Sequence, residues 1–364
     1  METQSGFFGN RFISSSYILF TLLGAVLLTA LGFINQRIWP SPPQQQVQLT
    51  VLCVNGFSWD RVMSLHRHGE LPFLASLFLK KGSYGDIVSS KQFASDDAII
   101  ASLFTGRLPV KHRIYKTADR AQLCSNKRFQ IPVWQELAEQ GETCIVVGLP
   151  AASDHDVIPP REAPQPVHEE ILTKHIQYIT RGRELPLELL HLLRECIGSD
   201  LERISLAVEA VAAYKPSSHL FACFEGLGRW QKRLSAGADS LPEPLRSELT
   251  DSYYKFFDTL LAKLQGRLGE NGTFLLLSER GNLKGYPTYW QGLPRRREYP
   301  AAGFLYATGR HIREGTEPLL VKPVDIVPTL IYLTGNPLLN DMDGTVIFDM
   351  LEEEFYFQHK LSYK

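Results

Sequence analysis

Four polar groups stand where apolar runs of this chain end or begin: Asn55-Gly56, Ser95-Asp96, the run from Glu225 to Arg229, and Ser278-Glu279-Arg280-Gly281. A metal-dependent hydrolase would carry aspartates, histidines and a hydroxyl nucleophile at such places. Paired cations activate the nucleophile and neutralise charge on the attacking and departing oxygens. Imidazole and carboxylate suit zinc, whereas arginine has no free lone pair to offer. Here an asparagine, two glutamates and two arginines occupy the positions instead. The carboxylates Asp96, Glu225 and Glu279 still offer oxygen ligands, which magnesium, manganese or calcium accept. The residues therefore leave two readings open, a divergent hydrolase or a catalytically inactive frame.

Other polar clusters are weaker. Asp154-His155-Asp156 lies on a predicted loop and reads as a surface loop or a displaced metal or substrate site. His66 and His68 fall between two predicted helices and read as exposed. Ser95 has no partner histidine visible in the sequence, and there is no glycine-rich nucleotide loop. Arg295-Arg296-Arg297 is the one dense basic run, read as a solvated loop or an anion contact.

The elements that must position these groups follow from hydrophobic period. Leu49–Val54 (LTVLCV), 143–147, Ser218–Phe224, Thr273–Leu277 and Ala302–Ala307 are short apolar runs that predict strands. Helical spacing marks 71–79, where Gly82 and Gly85 close the helix, then 98–104, 131–139, 187–196, 201–213, 253–268 and 324–333. Pro328 sits early in the last of these, where a missing amide is tolerated. This strand–helix alternation predicts an α/β fold, a mostly parallel central sheet flanked by helices on both faces. In such a sheet ligands bind beyond the carboxyl ends of the strands. Asn55, Glu225 and Glu279 all fall at or just after such ends.

Six stretches in order carry a resemblance: VLCVNGFSWD (51–60), GELPFLASLFLKKGSYGDI (69–87), ASLFTGRLPVKHRIY (101–115), IPVWQELAEQGETCIVVGLP (131–150), TFLLLSERG (273–281), and VDIVPTLIYLTG (324–335) followed by DMDG (341–344). Together they resemble the alkaline phosphatase superfamily, and more narrowly its type I phosphodiesterase and nucleotide pyrophosphatase branch, over roughly 49–350. The resemblance implies an alkaline-phosphatase-like fold and two zinc or similar ions held by aspartates and histidines. The first metal aspartate corresponds to Asn55. The nucleophile, ten residues before the glycine of the threonine–glycine pair, corresponds to Asp96, with Ser95 beside it. The second metal pair corresponds to Glu225 and Arg229, and the aspartate–histidine pair of the usual SDHG run to Glu279 and Arg280. No histidine occurs from Gly292 to Gly303, where the family has its last one. Lys111-His112 matches a family histidine and reads as part of the fold. Each placed position departs from the pattern. Arg229 is expected to pair with Glu225, and Arg280 with Asp96 or Glu279, filling the volume of the lost metals.

The chain has 364 residues, 44% hydrophobic, with a formal charge of -1, which gives no bulk attraction for nucleic acid. Five cysteines show no paired spacing: Cys53, Cys144 and Cys223 read as buried hydrophobes, and Cys124 or Cys196 as candidates for an unsupported disulfide. Ile18 to Ile34 is uncharged and mostly apolar, about 26 Å as a helix, the short end of a membrane span. It reads as a retained anchor, a cleaved signal peptide or a buried helix, the anchor being preferred. Asn271-Gly272-Thr273 is a glycosylation sequon. The expected organisation is a tail over 1–16, a transmembrane anchor over 17–37, a Pro/Gln-rich spacer over 38–48, the α/β domain over 49–350 and a C-terminal tail over 351–364. The expected function is a membrane-anchored, catalytically inactive phosphatase- or phosphodiesterase-like subunit with a protein partner. Its domain is expected on the extracytoplasmic or lumenal side, with no cofactor. The alternative is a divergent phosphodiesterase, phosphatase or sulfatase-like hydrolase using zinc, magnesium or manganese.

Overall fold

The computed structural model describes residues 48–364 apart from 80–81, 91–92, 94, 124–128, 150–156, 159–168, 214–217, 237–240, 266–271, 280–302 and 316–318. The described strands are β1 (Leu49–Val54), β2 (Ser83–Ile87), β3 (Cys144–Val147), β4 (Val157–Ile158), β5 (His219–Phe224), β6 (Thr273–Ser278), β7 (Gly303–Gly309) and β8 (Leu319–Val321). The helices are α1 (Trp59–Arg67), α2 (Pro72–Leu79), α3 (Asp96–Thr105), α4 (Pro109–His112), α5 (Val133–Ala138) and α6 (Glu169–Thr180). They continue with α7 (Leu187–Ala213), α8 (Gly226–Ser235), α9 (Glu243–Gln265), α10 (Ile326–Leu333) and α11 (Glu353–Gln358).

The strands form one sheet in the order β4-β3-β5-β1-β6-β7-β2-β8. Among them β7 alone runs against its neighbours. Why the central strands are apolar throughout follows from their alternation. Leu49, Val51 and Cys53 of β1 point into one core with α3, α5 and α10. Leu52 and Val54 point into the other, with α1, α2, α6, α7, α8 and α9. A strand covered on both faces has no polar side to show. Trp134 and Phe104 anchor one layer, and Trp230, Phe57 and Phe257 the other, all fully buried.

Two elements differ from the expectation. The runs 187–196 and 201–213 are one 27-residue helix, α7, because Gly198-Ser199 continues it without a break. The expected helix ends at Leu79, but Gly85 does not help to close it: it lies inside a strand, Ser83–Ile87. A side chain at Gly85 would lie 2.2 Å from the Leu319 carbonyl oxygen, so glycine is what admits β8 alongside. The last residues are tied down: Leu351 bridges Ile312, Tyr363 bridges Leu338, and Phe355 is buried.

The expected membrane-anchored architecture is corrected here. Among the described residues no helix is long and apolar enough to cross a membrane. The longest, α7 and α9, carry charges such as Arg194, Glu202, Arg246 and Lys263 along their exposed sides, as helices packed on a sheet do. The expected span over 17–37, with the tail and most of the spacer beside it, lies outside the described residues. The structure thus supports an α/β fold alone. It gives no support to a transmembrane helix, to bilayer contact through 17–37, or to a single-pass topology with a lumenal domain.

Candidate active site

Three of the expected residues are brought side by side by strand register. In the sheet Cys53 of β1 is level with Cys223 of β5 on one side and Leu277 of β6 on the other. Two residues on, the chain reaches Asn55, Glu225 and Glu279 in the same order. All three lie at the carboxyl edge, the ligand-binding edge of a sheet of this kind.

Asn55 is 8% exposed, and its side-chain oxygen accepts from the thiols of Cys53 and Cys223 at 3.8 and 3.7 Å. Its carbonyl is thus occupied from below. The neighbouring Cys223 thiol and burial hold Cys53 well above the usual thiol range.

Glu225 opens α8. Its position is set by a buried carboxylate: Asp200 of α7 accepts from the Gly226 amide at 3.2 Å and from the Tyr253 hydroxyl at 2.9 Å. A side chain at residue 226 would lie 2.2 Å from that hydroxyl, so the closeness requires glycine. Burial pushes Asp200 up to about 6 against the pull of these two donors. Burial alone would raise Glu225 as well. The guanidiniums of Arg120 and Arg203 outweigh it and hold the carboxyl below its ordinary range. Arg203 reaches Glu225 at 3.2 Å while donating to the Cys223 carbonyl at 2.9 Å.

The first turn of α3 supplies Asp96 and Asp97. Ser95 is its N-cap, accepting from the Ala98 amide at 3.1 Å and donating to the Tyr115 carbonyl. Those bonds commit its hydroxyl to structure. Tyr115 leads into a 3-10 turn over Thr117–Gln122, where Asp119 accepts from the Tyr115 and Lys116 amides. From this turn Arg120 reaches back between two carboxylates, pairing with Asp97 at 2.5 Å and with Glu225. Carboxylates on two sides of it raise its already high pKa, against the effect of burial.

Glu279 is 3% exposed at the end of β6, with Ser278 Oγ donating at 3.4 Å. Burial pushes its carboxyl up to about 8, and the charge of Asp96 adds to the rise while Arg120 opposes it. At neutral pH it therefore keeps its proton.

Arg229 does not enter this cleft. It is about half exposed and pairs with Glu195 at 3.0 Å on the outside of α8. Arg280, the Asp154-His155-Asp156 cluster, Arg295 to Arg297, Cys124 and Asn271 lie outside the described residues. Cys53, Cys144, Cys196 and Cys223 are buried free thiols. His112 donates from Nε2 to Ser102 at 2.9 Å, because its Nδ1 already accepts from the Ile114 amide. A donating imidazole cannot take the serine proton, so the pair is a core contact rather than a dyad. Arg107 and Asp341, within the stretches 101–115 and 341–344, are structural: the buried guanidinium pairs with Asp341 at 2.9 Å and Glu136 at 3.7 Å.

The residues present do not fit a pair of divalent ions as they stand. Among the described residues no group of three His, Cys, Asp or Glu side chains is arranged to hold a metal. A guanidinium already lies between Asp97 and Glu225, and like charges at that range repel strongly in a half-buried site.

The architecture resembles that of the alkaline phosphatase superfamily. Solved structures of similar fold include a sulfatase candidate from Bacteroides thetaiotaomicron, with a TM-score of 0.60 at 12% identity over 83% of this chain and 74% of that one. A 2-O GAG sulfatase gives a TM-score of 0.55 at 11% identity over 83% and 73%. The lipoteichoic acid synthase LtaP from Listeria monocytogenes gives 0.52 at 14% over 84% and 76%. No protein-family model and no curated protein matches the sequence. The expectation of an inactive, membrane-anchored subunit is corrected by these findings. Its anchor has no support among the described helices, and one of its two intruding arginines, Arg229, points away from the cleft.

Proposed function

We propose that the chain is a divergent hydrolase acting on an anionic ester. The observation that carries this reading is a protonated, buried Glu279 beside an Asp96 that stands on a helix N-terminus at the carboxyl edge of the sheet. Two carboxyl groups in unlike environments can divide acid and nucleophile roles between them. Asp96 attacks the ester phosphorus or sulfur, helped by the positive end of α3. The bond to the leaving oxygen breaks, and that oxygen takes the proton of Glu279. Water then cleaves the aspartyl intermediate and returns a proton to Glu279. The order of motifs is similar to that of type I phosphodiesterases, so a phosphodiester is the first substrate class to try, with phosphomonoesters and sulfate esters next.

The test is hydrolysis of the three nitrophenyl esters by the wild type and by Asp96→Asn. The expected result is turnover of at least one ester, lowered about 100-fold or more in the variant. Equal rates in the two proteins would overturn the assignment.

A further inference from the structure

We propose that Arg120 is the resident cation of this cleft, its guanidinium filling the electrostatic place of a divalent metal ion so that the site works without one. Four carboxyl groups gather at this edge: Asp96 and Asp97 from α3, Glu225 after β5 and Glu279 after β6. Arg120 comes from neither a strand nor a long helix. It is carried by a six-residue turn whose entrance is fixed, by Ser95 on the Tyr115 carbonyl and by Asp119 on the Tyr115 and Lys116 amides. That anchoring links the turn to the same helix N-terminus that presents Asp96. The guanidinium pairs with Asp97 on one side and Glu225 on the other, and its side chain is 15% exposed. Its charge also bears on the buried Glu279 and Cys53. Three of the four carboxyl groups, Asp97, Glu225 and Glu279, are therefore within reach of one fixed positive charge.

A guanidinium suits the task physically. It stays charged at any working pH, and its planar fork offers donors to two carboxylates at once. Unlike an ion, it cannot be lost to dilution or a chelator. Arg203 supports Glu225 from the far side, where it also holds the Cys223 carbonyl. Without Arg120, Asp97 and Glu225 would face each other with the charge of Asp96 beside them. The two facing carboxylates would then offer a hard divalent ion part of an oxygen shell, with water completing it. The catalytic part of this inference rests on the hydrolase reading above. The charge assignment itself does not, and its test needs no turnover.

The test is titration of manganese into the folded protein, followed by calorimetry and by the free-ion electron paramagnetic resonance signal. The wild type is expected to show no saturable site in the low-millimolar range, nor to bind magnesium or zinc at the cleft. Arg120→Met is expected to gain one saturable manganese site, at least about tenfold tighter than anything in the wild type. Adding Glu225→Gln should remove it again. Arg120→Lys, which keeps the charge, should resemble the wild type. Where Arg120→Met does not fold, Arg120→Gln keeps a hydrogen-bonding amide while removing the charge, and it is expected to gain the same site. Stoichiometric metal on the wild type that Glu225→Gln abolishes would overturn the assignment. So would a folded charge-removing variant that gains no site. Absence of hydrolysis with this binding pattern intact would sink the proposed function and leave Arg120 where it is placed.

Discussion

Glu279 carries its proton at neutral pH because burial outweighs every nearby donor and the Arg120 charge. Its folded pKa of about 8 lies above the ordinary 4.5, so the folded state binds more protons than the unfolded one between those values. Stability from this group is greatest below pH 4.5 and is lost as pH rises towards 8. Glu279→Gln should flatten that decline, as urea unfolding at a series of pH values will show. The same residue should shape activity, since a general acid fails once it ionises. The rate should fall above pH 8 in the wild type, while Glu279→Gln should be slow throughout and lack that limb. Asn55, Glu225 and Glu279 were legible because each directly follows an apolar strand. Arg120 was not: it sits in a 3-10 turn without period, and its partner Glu225 is 105 residues away. Asp97 and Arg203 escaped notice for the same reason, their partners being distant in sequence. Arg229 misled in the opposite direction. One helical turn from Glu225, it had the right spacing for a pair, yet α8 turns it outward to Glu195.

The loop after α3 shows how elements are fixed by ionic contacts as well as by packing. Arg107 is 1% exposed, donates to the Thr105 and Ile131 carbonyls, and pairs with Asp341 and Glu136. Lys111 pairs with Asp343 at 2.6 Å in the same cluster. Arg107→Met takes the buried guanidinium from between Asp341 and Glu136, leaving Lys364 at 3.8 Å from Glu136, and should cost about 3–5 kcal/mol in denaturant unfolding. A cost within about 0.5 kcal/mol of zero would show that the cluster holds nothing. At this scale β1, β5 and β6 were readable as apolar runs, since both of their faces are covered. The strand β2 was hidden, because Ser83-Tyr84-Gly85-Asp86 has neither a run nor an alternation, and its glycine is there for β8. In α7 a glycine and a serine suggested a break, but flanking Ile197 and Leu201 are both buried and carry the apolar face across it.

One sheet serves two cores, and α3 and α8 bring the site's groups in from opposite layers. Unfolding either layer would strip the other of its floor, so the described domain should unfold as a unit. Trp134 lies in one layer and Trp230 in the other. Fluorescence of Trp134→Phe and Trp230→Phe should therefore each track that variant's own circular-dichroism transition, with coincident midpoints. Separate transitions would mean that the layers are independent. The overall reading rests on a hydrolytic cleft at the carboxyl edge that uses its own arginine as cation. The most direct measurement is the initial rate of nitrophenyl phosphodiester hydrolysis from pH 5 to 10, with chelator present, for the wild type and Asp96→Asn. The predicted result is turnover that survives the chelator, declines above pH 8, and falls about 100-fold or more in the variant. A wild-type rate equal to the buffer blank, or equal to that of Asp96→Asn, would contradict it.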